Sequence, residues 1–234
     1  MTTKSTNAIT IDPNAEVAII ENGYSDSSSN FELPRWRIDK DSGLFIHDYG
    51  DEYETINAAL LKVDQSRVLW PADYVANSRP DCRSHNLKFP EERDPLKAPF
   101  GGLDKNGLRI CENCSLSEWG GEENQRIKPP CAIVYDLLLL DLKTEILGVL
   151  SLMRTRLKTA RKLDGFWKTT AMRFSVQLNT TKEHGPRGQW YALQFKRDET
   201  FTTEERQQLI SMAIGFKHWS LSAVTTEIAM EDSE

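Results

Sequence analysis

Four cysteines are the residues of this chain whose spacing predicts a defined chemistry. Cys82, Cys111, Cys114 and Cys131 are all the cysteines of the sequence, and the middle two form a Cys-Glu-Asn-Cys pair. Four thiolates hold Zn²⁺ in a closed tetrahedron, which supplies folding energy and leaves no open position for a substrate. The spacing therefore predicts one structural Zn²⁺ ion bound by these four residues.

The segment around the cysteines is polar and rich in Pro and Gly, so it buries little apolar surface of its own. A metal ion would supply the folding energy that such a segment lacks. Three other interpretations stay open: free structural thiols, two disulfides in an oxidising compartment, or a redox Cys-x-x-Cys pair. His85, three residues after Cys82, is a rival ligand.

Catalytic motifs find little support in the sequence. The four histidines follow no metal or triad spacing, and neither a phosphate-binding P-loop nor a Gly-x-Ser-x-Gly elbow occurs. Asp48, Asp51, Glu52 and Glu54 form a carboxylate cluster, which an acidic turn explains. The alternative is a nuclease that uses Asp48, Asp51 and Glu54. We therefore expect that the protein is not an enzyme.

A basic segment runs over residues 154–173, where seven side chains are positive and only Asp164 is negative. Basic side chains follow phosphates and aromatic rings stack on bases, so the segment predicts one wall of a groove for single-stranded nucleic acid. A solvated helix face with Phe166 and Trp167 in the core is the alternative. The candidate nucleic-acid contacts are Arg154, Arg156, Lys158, Arg161, Lys162, Lys168, Arg173, Trp70, Trp167 and Trp190.

The composition of the 234 residues, 39% hydrophobic and 27% charged, is that of an ordinary globular protein. No apolar run approaches the ~20 residues of a membrane span, and the first residues lack the pattern of a signal peptide. We therefore expect a cytoplasmic protein with reduced thiols. The net charge of −6 argues against attraction of the whole surface to duplex DNA.

The first half of the chain is predicted to form strands. Residues 43–49 predict one strand. Residues 56–63 and 67–70 flank the polar Asp64-Gln-Ser, a pattern typical of a hairpin. After the cysteines, residues 132–142 and 146–153 are so apolar that they predict central strands buried on both faces, with a buried helix as the alternative.

The second half predicts a helix, a hairpin and a second helix. Helical spacing of apolar residues over 154–166 predicts a helix that ends at Gly165. Alternation in residues 174–178 and 191–195 predicts the hairpin. A capping box at residues 202–205 opens the last helix. Its apolar stripe holds Leu209, Met212, Ala213 and Phe216.

This order of elements predicts a mainly β fold with α, classed as α+β: an OB-fold-like Greek-key barrel with a C-terminal helix. The cysteine segment, at about residues 72–131, is then a zinc-binding insertion between two barrel strands. We expect the barrel domain to span residues 33–222. Residues 1–32 are predicted to form a flexible arm that contains at most one short strand, near residues 17–20, with an edge strand that docks on the core as the alternative.

The predicted acidic tail, residues 223–234, ends in Glu-Asp-Ser-Glu. A frayed end is the simplest interpretation of such a tail. The functional alternative is a tail that competes for the basic groove or recruits partner proteins. The chain shows no internal repeat.

Three strings carry a resemblance to a known family: Pro80-Asp-Cys-Arg-Ser, Ile110-Cys-Glu-Asn-Cys-Ser-Leu-Ser-Glu-Trp-Gly and Lys128-Pro-Pro-Cys. Together with Ser66-Arg-Val-Leu-Trp they resemble a group of bacteriophage and mobile-element proteins. The resemblance covers about residues 40–200. It implies a zinc-containing, single-stranded DNA-binding protein that acts in phage replication or recombination, in the host cytoplasm if phage-encoded.

The single-stranded DNA-binding protein of T-even phages offers a looser parallel, an OB-fold with a zinc insert. That protein uses a His among its ligands, so the parallel concerns architecture only. We therefore expect a protein that binds and protects single-stranded DNA, tolerates any sequence and recruits replication or recombination proteins through its tail. The alternative is a phage interaction module that acts on a host or replication protein through the insert.

Overall fold

The computed structural model describes residues 33–71, 80–90, 101–107, 109–118, 120, 128–185, 188–218 and 221. The predicted arm and all of the predicted tail lie outside these residues, and so does the possible strand near residues 17–20. Strands make up 47% of the structure, which confirms the prediction of a mainly β fold with helices. No helix in the described ranges is long and apolar enough to cross a membrane.

Two helices and eleven strands make up the described fold. The helices are α1 Leu157–Thr170 and α2 Thr203–Gly215. The strands are β1 Arg35–Ile38, β2 Phe45–His47, β3 Glu52–Tyr53, β4 Thr55–Leu69, β5 Cys82–Ser84, β6 Gly102–Leu103, β7 Arg109–Ile110, β8 Cys131–Asp141, β9 Leu147–Met153, β10 Phe174–Gly185 and β11 Gly188–Thr200.

One curled sheet holds nine of these strands, in the order β11-β10-β4-β8-β9-β1-β2-β3, with β5 also paired to β4. Its neighbours are antiparallel except for β1 and β9, which run parallel. Strands β6 and β7 form a separate ribbon. The predicted strands of residues 132–142 and 146–153 are confirmed as β8 and β9, and the predicted hairpin of residues 174–195 is confirmed as β10–β11.

Strand β4 is one continuous strand of 15 residues, so the hairpin predicted here is wrong. Residues 64–66, the predicted turn, continue the strand because their polar side chains find partners across the fold. Gln65 Nε2 donates to Asp164 of α1 at 3.2 Å, and Ser66 Oγ donates to Asp136 of β8 at 3.4 Å. A strand buried against both neighbours accepts polar residues when each is hydrogen-bonded.

Helix α1 continues to Thr170, so the predicted end at Gly165 is wrong. The helix passes the glycine because Phe166 and Trp167 still pack against the apolar cluster beneath it. It ends where Ala171 takes a left-handed conformation, with φ of 46°.

Helix α2 begins as predicted, with a capping box. Thr202 Oγ1 accepts from the backbone N–H of Glu205 at 3.2 Å, and Thr202 N donates to the Glu205 carboxylate at 2.7 Å. These two bonds satisfy donors that a helix N-terminus otherwise leaves without partners. The predicted apolar stripe packs against one cluster of the sheet.

The two faces of the sheet are called the inner and outer faces below. Each carries its own apolar cluster and is covered by a different helix. The inner face carries the larger apolar cluster, including Ile56, Leu137, Leu150 and Val176, and α1 covers it. The outer face carries a second cluster around Leu61 and Leu138, and α2 covers that one. Strand β8 is therefore buried on both sides, as its unbroken apolar sequence predicted.

The curled sheet closes through a turn rather than through a further pair of strands. The turn after β1 meets the β10–β11 hairpin, where Thr180 Oγ1 donates to the Gly43 carbonyl at 2.7 Å and Tyr191 Oη donates to the Asp41 carbonyl at 3.1 Å. Gly43 is required there, because a Cβ would lie 2.2 Å from the Tyr191 ring. Strand β9 pairs with β1, so within the described residues β11 has β10 as its one strand neighbour.

Candidate metal centre and nucleic-acid surface

The strand register places two of the four cysteines on either side of β4. Leu69 is paired with Cys82 of β5 on one side and with Cys131 of β8 on the other. Residues paired across neighbouring strands point to the same face, and each strand step is about 4.8 Å, so these two cysteines share the inner face about 10 Å apart at Cα. The strand register thus brings together residues far apart in the sequence.

The Cys-x-x-Cys pair sits on a tight turn held by its own hydrogen bonds. Cys111 N donates to the Lys88 carbonyl at 2.8 Å, and Cys114 N donates to the Cys111 carbonyl at 3.3 Å. Ser117 Oγ donates to the carbonyls of Cys111 and Cys114, at 2.9 and 2.7 Å. The backbone of the pair is thus fixed locally, as expected of a turn that presents two sulfurs to one ion.

Electrostatics link three of the thiols. Burial raises the pKa of the Cys131 thiol to about 11, the neighbouring Cys111 and Cys114 add to the rise, and the charge and hydrogen bond of Arg67 oppose it. A divalent cation between these thiols would relieve their mutual repulsion. No disulfide joins the four cysteines.

The four cysteines nevertheless do not have the arrangement of a complete set of metal ligands. Among the described residues no group of three or more His, Cys, Asp or Glu side chains has the geometry of a metal site. Cys111 and Cys114 contribute to the raised pKa of Cys131, whereas a metal site requires all four sulfurs about 2.3 Å from one centre. Metal binding would therefore require the four sulfurs to approach one another. His85, the rival ligand, follows β5 and is half-buried.

The predicted basic contacts fall into two groups. Lys158, Arg161, Lys162 and Arg173 are exposed on α1 or just after it. Lys168 is also exposed but lies 2.7 Å from the Asp164 carboxylate, so its charge is already paired.

Arg154 and Arg156 belong to a single 3-10 turn before α1 and are half-buried. Arg154 has a left-handed φ of 49°, an uncommon conformation for a residue with a side chain. These two arginines therefore contribute less accessible charge than the exposed residues of α1.

The three candidate tryptophans do not form one surface. Trp70 packs on the outer face against Val68, Val134 and Met153. Trp167 packs on the inner side, against the cluster under α1. Trp190 stands on the outer side of the hairpin, where its ring lies over Gly185, 2.8 Å from the position of a Cβ there. The sheet therefore separates Trp167 from the other two rings.

A buried polar cluster on the outer face was missed from the sequence. Asp136 is 2% exposed and accepts hydrogen bonds from Ser66 and Ser151. Arg35 donates to Ser151 Oγ at 2.9 Å. Burial raises the pKa of Asp136 to about 6, while the bond from Ser151 and the charges of Arg35 and Arg83 oppose that rise. Its only signal in the sequence is an aspartate inside an otherwise apolar strand.

The acidic cluster is explained by turn geometry. Asp48 Oδ2 accepts the backbone N–H of Arg35 at 2.7 Å, which ties the turn after β2 to β1. Asp51 and Glu54 are exposed near that turn. One carboxylate is thus occupied by the backbone, which favours the acidic-turn interpretation over a nuclease site.

Amide side chains on the outer face were also missed. Asn57 of β4, Gln177 and Asn179 of β10 and Gln194 of β11 occupy adjacent positions of three neighbouring strands. Gln177 and Gln194 sit at polar positions of the alternation that predicted the hairpin, and that alternation was the signal that could have identified these two.

Comparisons with protein-family models, with curated proteins and with solved structures found no match for this chain. They do not bear on the resemblance to phage zinc-containing proteins, which stays a prediction. Function is therefore inferred from the described side chains and from the connectivity of the strands.

Proposed function

We propose that this protein binds single-stranded DNA, tolerates any sequence and carries out no chemistry on the strand. The binding unit is an OB-like barrel, and a structural Zn²⁺ ion orders its inserted segment. The protein would protect single strands during phage replication or recombination.

The connectivity around α1 is the observation that carries this proposal. Strands β4, β8 and β9 follow one another as an antiparallel meander, α1 comes next, and the β10–β11 hairpin returns so that β10 pairs with β4. A three-stranded meander, a helix and a returning hairpin are the parts of a five-stranded Greek-key barrel of the OB type. The arrangement differs from that barrel at β9, because β1 pairs with the edge of β9 that does not pair with β8.

The loops of this arrangement also favour nucleic acid. OB folds bind oligonucleotides with the loop between their first two strands and the loop between their last two. Here the first of these is the cysteine segment between β4 and β8, and the second is the tip between Gly185 and Gly188. A metal-ordered loop would hold a fixed shape beside the strand.

The donor set supports zinc in that segment. Cys82, Cys111, Cys114 and Cys131 offer four thiols, the set that structural zinc prefers, and Cys111 and Cys114 raise the pKa of Cys131. Zinc bound there would supply folding energy to the insertion.

The exposed charge of α1 supports contact with phosphates, because Lys158, Arg161 and Lys162 line its solvent side. The acidic tail is proposed to compete for this charge and to recruit replication or recombination proteins. Leu221, just before the predicted tail, donates its N–H to Asp64 at 3.2 Å and accepts from Arg35 at 3.2 Å on the outer face.

A gel-shift experiment tests the proposal directly. Single-stranded and duplex oligonucleotides of the same sequence are compared, with and without Mg²⁺. We expect a shift with the single strand, a weaker one with the duplex and no cleavage. Absence of any shift would exclude the proposed function, and Mg²⁺-dependent cleavage would point to a nuclease.

Metal analysis of the purified native protein tests the zinc site. We expect one Zn²⁺ per chain in the native protein and less in Cys114→Ser, with Ser115→Ala as a matched control beside the ligand. Native protein that is fully folded and metal-free would refute the site.

A protein-interaction module is the second candidate, because the insertion exposes apolar side chains. Phe89 is 49% exposed and Leu103 is 59% exposed. Contiguous exposed apolar patches mark protein-binding surfaces, and Phe89 and Leu103 are the large exposed apolar residues that the insertion could contribute to one. If single strands do not bind, a Phe89→Ser, Leu103→Ser variant should lose a protein partner that the native chain retains.

A further inference from the structure

The outer face of β4, β10 and β11 is a polar, hydrogen-bonding surface on which Lys196 and Glu183 carry charge. The register places Asn57, Gln177 and Lys196 in one row across the three strands. Thr55, Asn179 and Gln194 form the next row, followed by the pair Thr181 and Ala192. The apolar inner face lies behind these rows, so their side chains point away from the core.

The amides of this face form no side-chain hydrogen bonds with other described residues. Within the described chain, the side chains of Gln177, Asn179 and Gln194 make no hydrogen bond. Asn57 Oδ1 also lacks a donor, but it is shielded from solvent, so the amides that a base can reach are those of Gln177, Asn179 and Gln194. Asn is depleted in strands, so two asparagines on adjacent strands depart from the local preference of the backbone. Departures of this kind occur at functional sites.

An aromatic ring continues the surface toward the tip of the hairpin. Trp190 is paired with Glu183 and lies on the same face as the amides. Its ring covers Gly185, whose missing side chain leaves room for it. Lys196 and Trp190 are six residues apart on one strand, which is about 20 Å at roughly 3.3 Å per residue.

We propose that this face is where the bases of a single strand lie, held by stacking on Trp190 and by hydrogen bonds from the amides. This inference rests on the proposed function and specifies its mode of binding. An amide offers both a donor and an acceptor, so it can pair with the edge of any base and does not impose a sequence. A stacking ring is equally tolerant, because every base has a π-face.

The charge on the face fits this occupant. Neutral base edges match neutral amides, and the two amide rows hold Lys196 as a partner for phosphate and contain no acidic residue. The face also lacks the large apolar side chains that fill the core of a protein interface, apart from Trp190 at its end.

The position of β11 connects this face with the basic helix. Within the described residues β11 is the edge of the sheet, and α1 touches it where Thr159 Oγ1 donates to the Leu193 carbonyl at 2.9 Å. A strand that follows this edge would meet Lys158 and Lys162 on one side and the amides on the other. Backbone and bases would then be contacted by different faces of one edge strand.

The test compares variants of the outer face with a matched control on the same strand. Asn179→Thr with Gln194→Thr removes two amides and keeps β-compatible side chains. Gln189→Thr makes the same change on β11 at a position of the opposite face, because Gln189 pairs with His184. The probe is a ~16-nucleotide oligothymidylate, at the upper limit of what one OB fold covers.

We expect the double variant to bind the oligothymidylate at least about tenfold more weakly, since good amide–base pairs discriminate on that scale. Trp190→Ala should weaken binding about 5- to 150-fold. Neither change should alter the salt slope, because neither removes a phosphate contact. The Gln189→Thr control should bind as the native protein does.

A second readout uses an oligonucleotide of the same length with abasic sites in place of the bases. We expect the native protein to lose most of its affinity for this probe and the double variant to lose little more. Native affinity in both outer-face variants, or equal binding of the abasic probe, would overturn the inference while leaving single-strand binding intact. Failure of the native protein to bind either probe would instead refute the proposed function.

Discussion

Asp136 is the residue whose environment gives the clearest expectation for pH dependence. Burial raises its pKa from 3.8 to about 6, so the folded state keeps a proton that the unfolded state has already lost. The stability associated with this group is therefore complete below about pH 4 and is lost as the pH rises to about 6. Two pKa units correspond to about 3 kcal/mol.

Replacement of this aspartate tests that expectation. Asp136→Asn removes the titrating group, so the decline in the free energy of unfolding between pH 4 and 6 should largely disappear. Urea unfolding across that range is the measurement, and Glu204→Gln on the exposed start of α2 is the control. A variant with the native pH profile would show that the carboxyl is ionised throughout.

Arg67 is the residue expected to support the cysteine site. Its guanidinium hydrogen-bonds Cys131 and lowers the pKa that burial raises. Four thiolates on one Zn²⁺ carry a formal charge of −2, and a buried negative site needs a positive neighbour. Groups of this kind around metal ligands typically change affinity 10- to 100-fold.

Arg67→Met should therefore release zinc to a chelator roughly 10- to 100-fold more readily, with Arg67→Lys intermediate. The rate of zinc transfer to a coloured chelator is the measurement. Arg197→Met, which removes an exposed arginine of β11, should leave the rate unchanged. Equal rates of zinc release from the Met variant and the native protein would show that Arg67 has only a packing role beside Cys131.

At the scale of elements, substitutions on helix α1 can distinguish the two interpretations of the basic segment, a wall of a nucleic-acid groove or a solvated helix face. Its inner side packs Leu163 and Ala160 into the core, and its outer side exposes Lys158 and Arg161. Lys158→Ala with Arg161→Ala should weaken single-strand binding and lower the log–log salt slope by about 0.7 for each lost phosphate contact. Lys143→Ala with Lys217→Ala removes equal charge elsewhere and is the control. An unchanged slope would identify α1 as a merely solvated face.

Elements with a strong local pattern were predictable from the sequence. Strands β8 and β9 follow from unbroken apolar runs, the β10–β11 hairpin from alternation, and the start of α2 from its capping box. The failures share a different cause. Residues 64–66 resemble a turn, and the partners that keep them in a strand, Asp136 and Asp164, lie at least 70 residues away.

The site was predictable only in part, for the same reason. Which cysteines lie beside β4, and which tryptophans share a face, depends on strand register. Trp70 and Trp167 each border a strand-like or basic run, yet they lie on opposite sides of the sheet. The amides and Asp136 gave only weak signals, because single polar residues in strands acquire meaning when neighbouring strands align them.

At the scale of the whole molecule, closure of the curled sheet depends on Gly43. A methyl group there would lie 2.2 Å from the Tyr191 ring, and its φ of 75° disfavours a side chain. Gly43→Ala should therefore destabilise the fold by about 1–3 kcal/mol through overpacking, with further strain from the backbone. The free energy of unfolding in urea is the measurement.

A second substitution separates the two causes of that loss. Tyr191→Ala removes the ring, so the cost of Gly43→Ala measured in that background should shrink to the backbone strain alone. Gly50 also has a left-handed φ, but open space surrounds it. Gly50→Ala therefore measures the cost of backbone strain without a steric clash. Equal costs of Gly43→Ala in both backgrounds would show that the turn does not bear on the hairpin.

The closing contact also constrains how quickly the chain can reach this structure. Gly43 and Thr180 meet across 137 residues, and Ser66 and Asp136 across 70. Contacts between such distant segments become favourable only after large chain loops have closed, so folding rates fall as their share rises. Refolding from urea is thus expected to be slow for a protein of this size, and the seam between the turn and the hairpin should be among the last parts to form.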